Sequence, residues 1–388
     1  MKFLNNLKLQ NFSDSIQHAF ERRSNLVSEL PRDIFEFCIL IRIIIAPVVR
    51  PTESQQDYDS VIYSPSGVSI ENKENIDPLR YWILKDCYLY DNGIIINSKN
   101  QLVMLNMRGR WLEMSKRIRM YIDNRSDFLF FLKSPVKFFK SLESIPVNDP
   151  ALYYTGPYIY NYYHWMLEKL PTLRAIPKLN ESDIRPSIIL NSDSPDFVKE
   201  SIELINPDVK KIASTNAVCL NLSDAIIPEE RPFSGNDYSG TEQEIDFIRH
   251  HLLKDRLIGK ENFNYIFSTR ADSDSRKIKN RQELENYLSE YGFISLIAGK
   301  HSVKDQIALF KHADVVMGPH GANLVNIIFC RRARIYEIVG ADPHNRLYEL
   351  LCEAIGHEHQ YLHGKKIGRD FYIPISEIES KFDTKINT

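Results

Sequence analysis

VVMGPHGANLVNIIF, residues 315–329, reads as a buried strand, a glycine-rich turn and the start of a helix. Gly318 and Gly321 let a backbone come close to a ligand where a Cβ would clash. The helix that follows offers free N–H groups and a positive dipole end to a phosphate. The same glycine pair suits a tight strand-to-helix turn with no ligand, but His320, Ala322 and Asn323 in that turn add polar and small groups suited to binding.

Outward from this turn, short apolar strands alternate with helical stretches. A helix from about Glu242 to Leu257 precedes the strand NYIFSTR, the helix QELENYLSEY, the strand FISLIA, the helix VKDQIALFKH and the strand DVVMG. After the turn come the strand RIYEIV and a helix beyond Asn345. This is the β-α-β rhythm of a parallel sheet. A similar rhythm runs from ALYYTG near residue 151 through YYHWMLEKL, SIILNS and SPDFVKESIELI to a strand near Val218, and PEERPFSGNDYSG, residues 228–240, separates the two blocks as a linker. The expectation is an α/β protein with two Rossmann-like lobes facing a cleft. Upstream, YWILKDCYLYDNGIIINSKNQLVML, from Tyr81, alternates aromatic and β-branched residues around two turns and reads as an antiparallel meander. The boundaries drawn are 1–100 for an N-terminal extension with this meander, 101–235 for the first lobe and 236–388 for the second.

A chain of 388 residues is too long for one ordinary core, and 43% hydrophobic with 26% charged residues is a globular composition. Its 49 Lys and Arg against 51 Asp and Glu give no global field, which argues against a nucleic-acid partner and makes any anion site local. Cys38, Cys87, Cys219, Cys330 and Cys352 are scattered without a Cys-x-x-Cys pair and read as reduced thiols of a cytoplasmic protein. The most apolar run, FCILIRIIIAPVV from Phe37, is broken by Arg42 and Pro47 and is too short to span a bilayer. It reads as a buried strand or helix. The basic stretch MRGRWLEMSKRIRMYIDNR from Met107 reads as a solvated helix face, with peripheral contact at the inner face of a membrane, or with a lipid-linked acceptor, as the alternative.

Two further segments carry chemistry. FSTRADSDSRKIKNRQEL, residues 267–284, puts Arg270 at the carboxyl end of a strand and Arg276 and Lys277 in the loop beyond, where a parallel sheet opens its ligand crevice. Guanidinium groups there suit phosphate, although a solvated charged loop has the same composition. Asp272, Ser273 and Asp274 imitate a metal-holding Asp-x-Asp, but the flanking cations make a metal redundant, so no metal or other cofactor is expected. In NYYHWMLEKLPTL, residues 161–173, a helix would set His164 and Glu168 on one face at i,i+4, where the carboxylate can orient the imidazole for removing a hydroxyl proton. A core histidine is the plainer reading, and Pro171 would kink or end the helix. His357, His359 and His363 in GHEHQYLHG match no zinc spacing and read as surface or strand histidines.

Taken in order, these segments resemble glycosyltransferase family 61. The likeness runs from about Tyr81 to Val339. It rests on Asn161 to Trp165, on the loop with Arg270, Arg276 and Asn280, on the Gln306 to Phe310 helix, on the Gly318 to Ala322 turn with Asn326 and Phe329, and on Glu337. The resemblance implies a GT-B fold, an inverting transfer and a nucleotide sugar, usually a UDP-sugar, held mainly by the second lobe. The acceptor would be a glycan hydroxyl, as in capsule or surface polysaccharide synthesis. Carried over by position, His164 becomes the base, with His320 or Glu168 as its rivals. Arg270, Arg276, Lys277, Asn280 and the Gly318 to Asn323 turn surround the diphosphate, and Glu337 faces the ribose hydroxyls. Two positions depart from the family pattern: Arg281 stands where an acid is common, and Asn323 where a glycine is. Two other readings remain, an inactive sugar- or nucleotide-binding homologue and a nicotinamide-dependent oxidoreductase. The latter lacks Gly-x-Gly-x-x-Gly and the acidic residue that comes after it.

Overall fold

The computed structural model describes residues 48–49, 60–63, 80–90, 94–97, 102–104, 125–154, 157–181, 183–214, 219–228, 242–253, 264–271, 277–340, 346–368 and 370–382. The Phe37 run up to Pro47, the basic stretch from Met107 to Asn124, most of the 228–240 linker and residues 272–276, with Arg276 and the Asp-Ser-Asp triplet, lie outside them. Among the described residues no helix is long and apolar enough to cross a membrane.

Ten strands form the first sheet: β1 (Val48–Val49), β2 (Ser60–Tyr63), β3 (Arg80–Tyr90), β4 (Ile94–Ile96), β5 (Leu102–Met104), β6 (Ser144–Val147), β7 (Ala151–Tyr154), β8 (Ser187–Asn191), β9 (Lys211–Ser214) and β10 (Cys219–Pro228). The meander is present, with β3, β4 and β5 antiparallel. It is continuous with the rest of the sheet, because β3 pairs antiparallel with β10 from Tyr81↔Pro228 to Leu89↔Leu220. On the other side of β10 lie β6 and β7, and β7, β8 and β9 run parallel. The sheet is therefore mixed, with the βα rhythm confined to one side of β10. The second sheet is all parallel, in the order β12-β11-β13-β14-β15, with β11 (Tyr265–Ser268), β12 (Ile294–Leu296), β13 (Val315–Pro319), β14 (Arg334–Val339) and β15 (Glu358–His363). A small antiparallel hairpin, β16 (Lys365–Ile367) and β17 (Asp370–Tyr372), comes next in the chain.

The described helices are α1 (Arg125–Lys133), α2 (Pro135–Lys140), α3 (Tyr162–His164), α4 (Ala175–Glu181), α5 (Asp196–Ile205), α6 (Glu242–Leu252), α7 (Arg281–Ser289), α8 (Val303–Phe310), α9 (Leu347–Ile355) and α10 (Ile375–Lys381). The helix read at residue 242 thus ends its described span at Leu252.

Why inner strands such as β7, β8 and β13 are buried along their whole length is explained by the layers. Successive residues of a strand point to opposite faces, and at these inner strands both faces are covered. Leu152, Ile188 and Ile226 join one core, whereas their neighbours Tyr153, Ile189 and Ile227 join a second on the far face, with Leu84 and Leu89. In the other sheet Ile266, Val316 and Ile335 belong to that same first core, while Phe267, Met317 and Tyr336 face a third. A single apolar core, filled by Trp165, Leu170, Ile202, Ile248 and Phe310 from the helices, therefore runs from one sheet to the other. Cys87 and Cys219 are buried free thiols, pushed up to about 12 and about 11 chiefly by burial, and Cys330 is likewise pushed up to about 12. Thiols held so far from ionisation are inert, in keeping with a reduced-thiol reading.

Candidate functional site

The segment NYYHWMLEKLPTL folds as one continuous but irregular helix. Asn161 caps it, its side chain accepting from the N–H groups of Tyr163 at 3.0 Å and His164 at 3.5 Å. After α3 the chain widens into a π turn, Trp165–Lys169, and tightens into a 3-10 turn, Leu170–Arg174, before α4. Pro171 at the start of the 3-10 turn has no N–H to give to an α-helical ladder, so the ladder changes register around it. π turns of this kind concentrate at functional sites. Across it His164 Nδ1 and Glu168 Oε2 meet at 2.9 Å, with Glu168 buried at 8% exposure and His164 partly open at 28%. An ionised carboxylate only accepts, so it holds the proton of a neutral imidazole on Nδ1 and leaves Nε2 unprotonated.

The turn after β13 is shaped by neighbours rather than by open space. A Cβ on Gly318 would lie 2.7 Å from the carbonyl oxygen of Ser268, so the glycine permits two strands to pass closely. A Cβ on Gly321 would overlap the Arg270 guanidinium, lying 2.7 Å from its Cζ. The room expected for a ligand at Gly321 is thus filled by the Arg270 side chain, which the glycine seats against the turn. Ala322–Phe329 is a 3-10 helix rather than an α-helix. Leu324 N–H donates to the Gly321 carbonyl at 2.9 Å and the Tyr348 hydroxyl to the same oxygen at 2.5 Å. Asn323 approaches the Thr269 carbonyl at 3.5 Å.

A pocket of about 230 Å³ opens beside this turn, at the carboxyl end of β11, lined by Thr269, Arg270, Ala271, Lys277, Ile278 and Arg281. Three cations of one short segment converge there. Arg281, which stands out in the sequence only as a departure, is one of them, and it also pairs with Glu285 at 3.2 Å. Asn280 does not face the pocket. Its amide donates to the Ile373 carbonyl at 2.8 Å and accepts from the Ile373 N–H at 3.1 Å, locking the loop to the hairpin end. The Lys277 N–H donates to Asp370 at 2.9 Å, and Ile278 bridges to Phe371.

His320 sits at the turn with its Nδ1 on Glu337 Oε1, and His359 Nε2 reaches Glu337 Oε2 at 2.8 Å. Glu337 is fully buried, and its two carboxylate oxygens are each taken by one imidazole. Burial alone would raise its carboxyl, but the hydrogen bonds from His320 and His359 hold it below the ordinary carboxylate range. His359 is therefore a strand histidine, on β15, whose side chain turns into the site rather than to solvent. Sequence reading missed it because its signal is a contact with Glu337, 22 positions away. His357 has a separate role: Nδ1 accepts from the Ala333 N–H at 3.3 Å and Nε2 faces the Ile327 carbonyl at 2.9 Å. Desolvation lowers its proton affinity and it stays neutral.

A buried polar chain ties the His164 helix to the glycine turn. The Tyr162 hydroxyl donates to Asn326 Oδ1 at 2.8 Å, and Asn326 Nδ2 donates to Gln306 Oε1 at 2.8 Å and to the Asn323 carbonyl at 3.2 Å. Gln306 in turn donates to the His301 carbonyl at 3.0 Å. These bonds join the helix that carries His164 to the segment that follows the glycine turn.

Residues 162–336 match the family model described as Glycosyltransferase 61. The matched span contains His164, Glu168, Arg270 and His320 and stops one residue before Glu337. No curated protein matches the chain.

Proposed function

The match supports membership of glycosyltransferase family 61, and from that premise we propose that the chain is an inverting, GT-B glycosyltransferase acting on a UDP-sugar without a metal. Family membership supports glycosyltransferase activity and so a sugar donor and a sugar-accepting substrate. The mixed α/β architecture with parallel sheets is compatible with a Rossmann-like enzyme of this kind. The finer reading rests above all on one observation: three cations line a pocket at a parallel strand's carboxyl end, beside a glycine turn. That is where an α/β sheet binds nucleotide phosphates. We assign the donor to the half from residue 236 onward and the acceptor, a glycan hydroxyl of a capsule or surface polysaccharide, to the half before it. The meander goes with the acceptor half because it shares that sheet. The setting is cytoplasmic, with the basic stretch from Met107 as a solvated face and contact at the inner face of a membrane as the second reading.

In this reading His164 Nε2 takes the acceptor proton as the oxygen attacks the anomeric carbon from the face opposite the nucleotide, and Glu168 keeps the imidazole in the tautomer this needs. Configuration inverts. Arg270, Arg276, Lys277 and Arg281 stabilise the charge growing on the departing diphosphate, which is the electrostatic contribution expected to dominate. His320, held by Glu337 as His164 is by Glu168, is the second candidate base.

The test is a transfer assay with a UDP-sugar panel. His164→Ala should melt like the wild type, bind UDP normally and lose about 10² to 10⁴ in rate. EDTA should leave transfer intact. A His164→Ala variant that transfers at the wild-type rate moves the base to His320, and abolition by EDTA with rescue by manganese replaces the cationic mechanism by a metal one.

A further inference from the structure

The Glu337 carboxylate, outside the matched span, is shared by two imidazoles that reach it from opposite sides. An ionised carboxylate accepts only, so neutral His320 donates from Nδ1 and neutral His359 from Nε2. In that state the cluster carries one net negative charge in a fully buried place. One more proton would neutralise it. Its place is His320 Nε2, because that imidazole is partly exposed at the turn beside Arg270, where an anion would sit. His359 lies at 6% exposure on the other side.

We propose that His359, acting through Glu337, positions and poises His320 so that a diphosphate binding at the Gly318 to Asn323 turn draws one proton from water onto His320 Nε2. The resulting N–H donates to a diphosphate oxygen. The proton balance is complete: one proton leaves the solvent, none leaves the protein, and the cluster goes from one negative charge to none. His359 matters because its N–H occupies Oε2 and withdraws part of the carboxylate's charge. Without that bond the whole charge faces His320, which then holds the extra proton before any ligand arrives. This rests on the reading of the turn as a diphosphate site.

The surroundings agree with the assignment. Tyr348 of α9 lies edge-on to His320, ring centroids 5.3 Å apart, and Arg270 reaches the adjacent Gly321 from the end of β11. Around His359, Tyr361 stacks edge-on at 4.6 Å and donates its hydroxyl to Glu349 of α9 at 2.9 Å. Glu349 is held below the ordinary carboxylate range first by Arg346, so its charge is already paired. Cys352 of α9 is kept a neutral thiol by burial and by the Glu337 charge. His359 also lines a cavity of about 510 Å³ with Glu353, His363 and Lys381.

The experiment is calorimetric titration of the full chain with UDP, and separately with inorganic pyrophosphate, in buffers of different ionisation enthalpy at pH 7.5. The wild type should take up about one proton per site more than the ligand's own ionisation accounts for, as linkage requires of a group protonated by binding. His359→Leu should bind both ligands and lose that uptake, and His359→Gln, whose amide N–H can still donate to Oε2, should keep it. Nitrogen NMR of the histidine side chains should show His320 protonated on both nitrogens only in the complex for the wild type, but already in free His359→Leu. Binding without proton uptake in the wild type, or equal uptake in His359→Leu, overturns the inference alone. If neither UDP nor pyrophosphate binds, the diphosphate site and this inference fall together.

Discussion

Gly321 and Arg270 define each other's positions. Because a Cβ at residue 321 would overlap the guanidinium, Gly321→Ala must swing Arg270 out of the turn, a displacement a long side chain can make without unfolding the protein. Gly321→Ala should therefore weaken UDP binding about as much as Arg270→Ala, each by about 1.5–3 kcal/mol, the worth of a charged hydrogen bond. Arg281→Ala should fall in the same range if its guanidinium faces phosphate rather than Glu285 alone. UDP titrations of the three variants, with melting curves as the fold control, decide it; a Gly321→Ala affinity equal to wild type would mean that Arg270 serves the turn and not a ligand. In the sequence, two glycines and a distant arginine are separate signals. Only packing shows that one makes room for the other.

At the scale of elements, the second sheet was legible where its strands are short apolar runs between turn signals: β11, β12 and β14 fall within the stretches read as strands and β13 runs one residue past its own, whereas β15, Glu358–His363, is polar and gave no such signal. The His164 helix was legible in place and in its i,i+4 pair, but not in its form: the change to π and 3-10 turns goes with Pro171, which has no N–H for the α-helical ladder. Residues that entered only as pattern markers prove to be joints. Asn326 and Gln306 carry the buried chain from Tyr162, and Asn280 clasps a backbone 93 positions away, which no local pattern announces. Asn326→Ala would leave the Tyr162 hydroxyl and the Gln306 amide oxygen buried without these partners. Urea unfolding should show a loss of about 1–3 kcal/mol, the usual cost of orphaning a buried polar group. A variant as stable as wild type would make this chain of bonds incidental.

For the whole molecule, acid should be destabilising in two steps. His357 and Glu337 both have proton affinities depressed by the fold, so the unfolded chain binds more protons than the native one as pH falls. The His357 contribution is complete above its unfolded value near 6.5 and declines below it, and the Glu337 contribution declines in turn below its ordinary value of 4.5. Melting temperatures at pH 7.5, 6 and 5 should fall in the wild type and fall less in His357→Gln, although that variant starts lower. Parallel curves would show that the loss comes from other groups. The core that Trp165, Ile248 and Phe310 build between the sheets has a mechanical consequence as well. Swinging the two sheets apart like a clamshell would wet that core, and would also break the bonds from Glu200 to the N–H groups of Val303 and Lys304 and from Arg249 to the Cys330 carbonyl. The packed helices α5, α6 and α8 thus act as a hinge pin that is closed by bonds as well as by apolar contact, and domain closure of the clamshell kind is the motion this core resists.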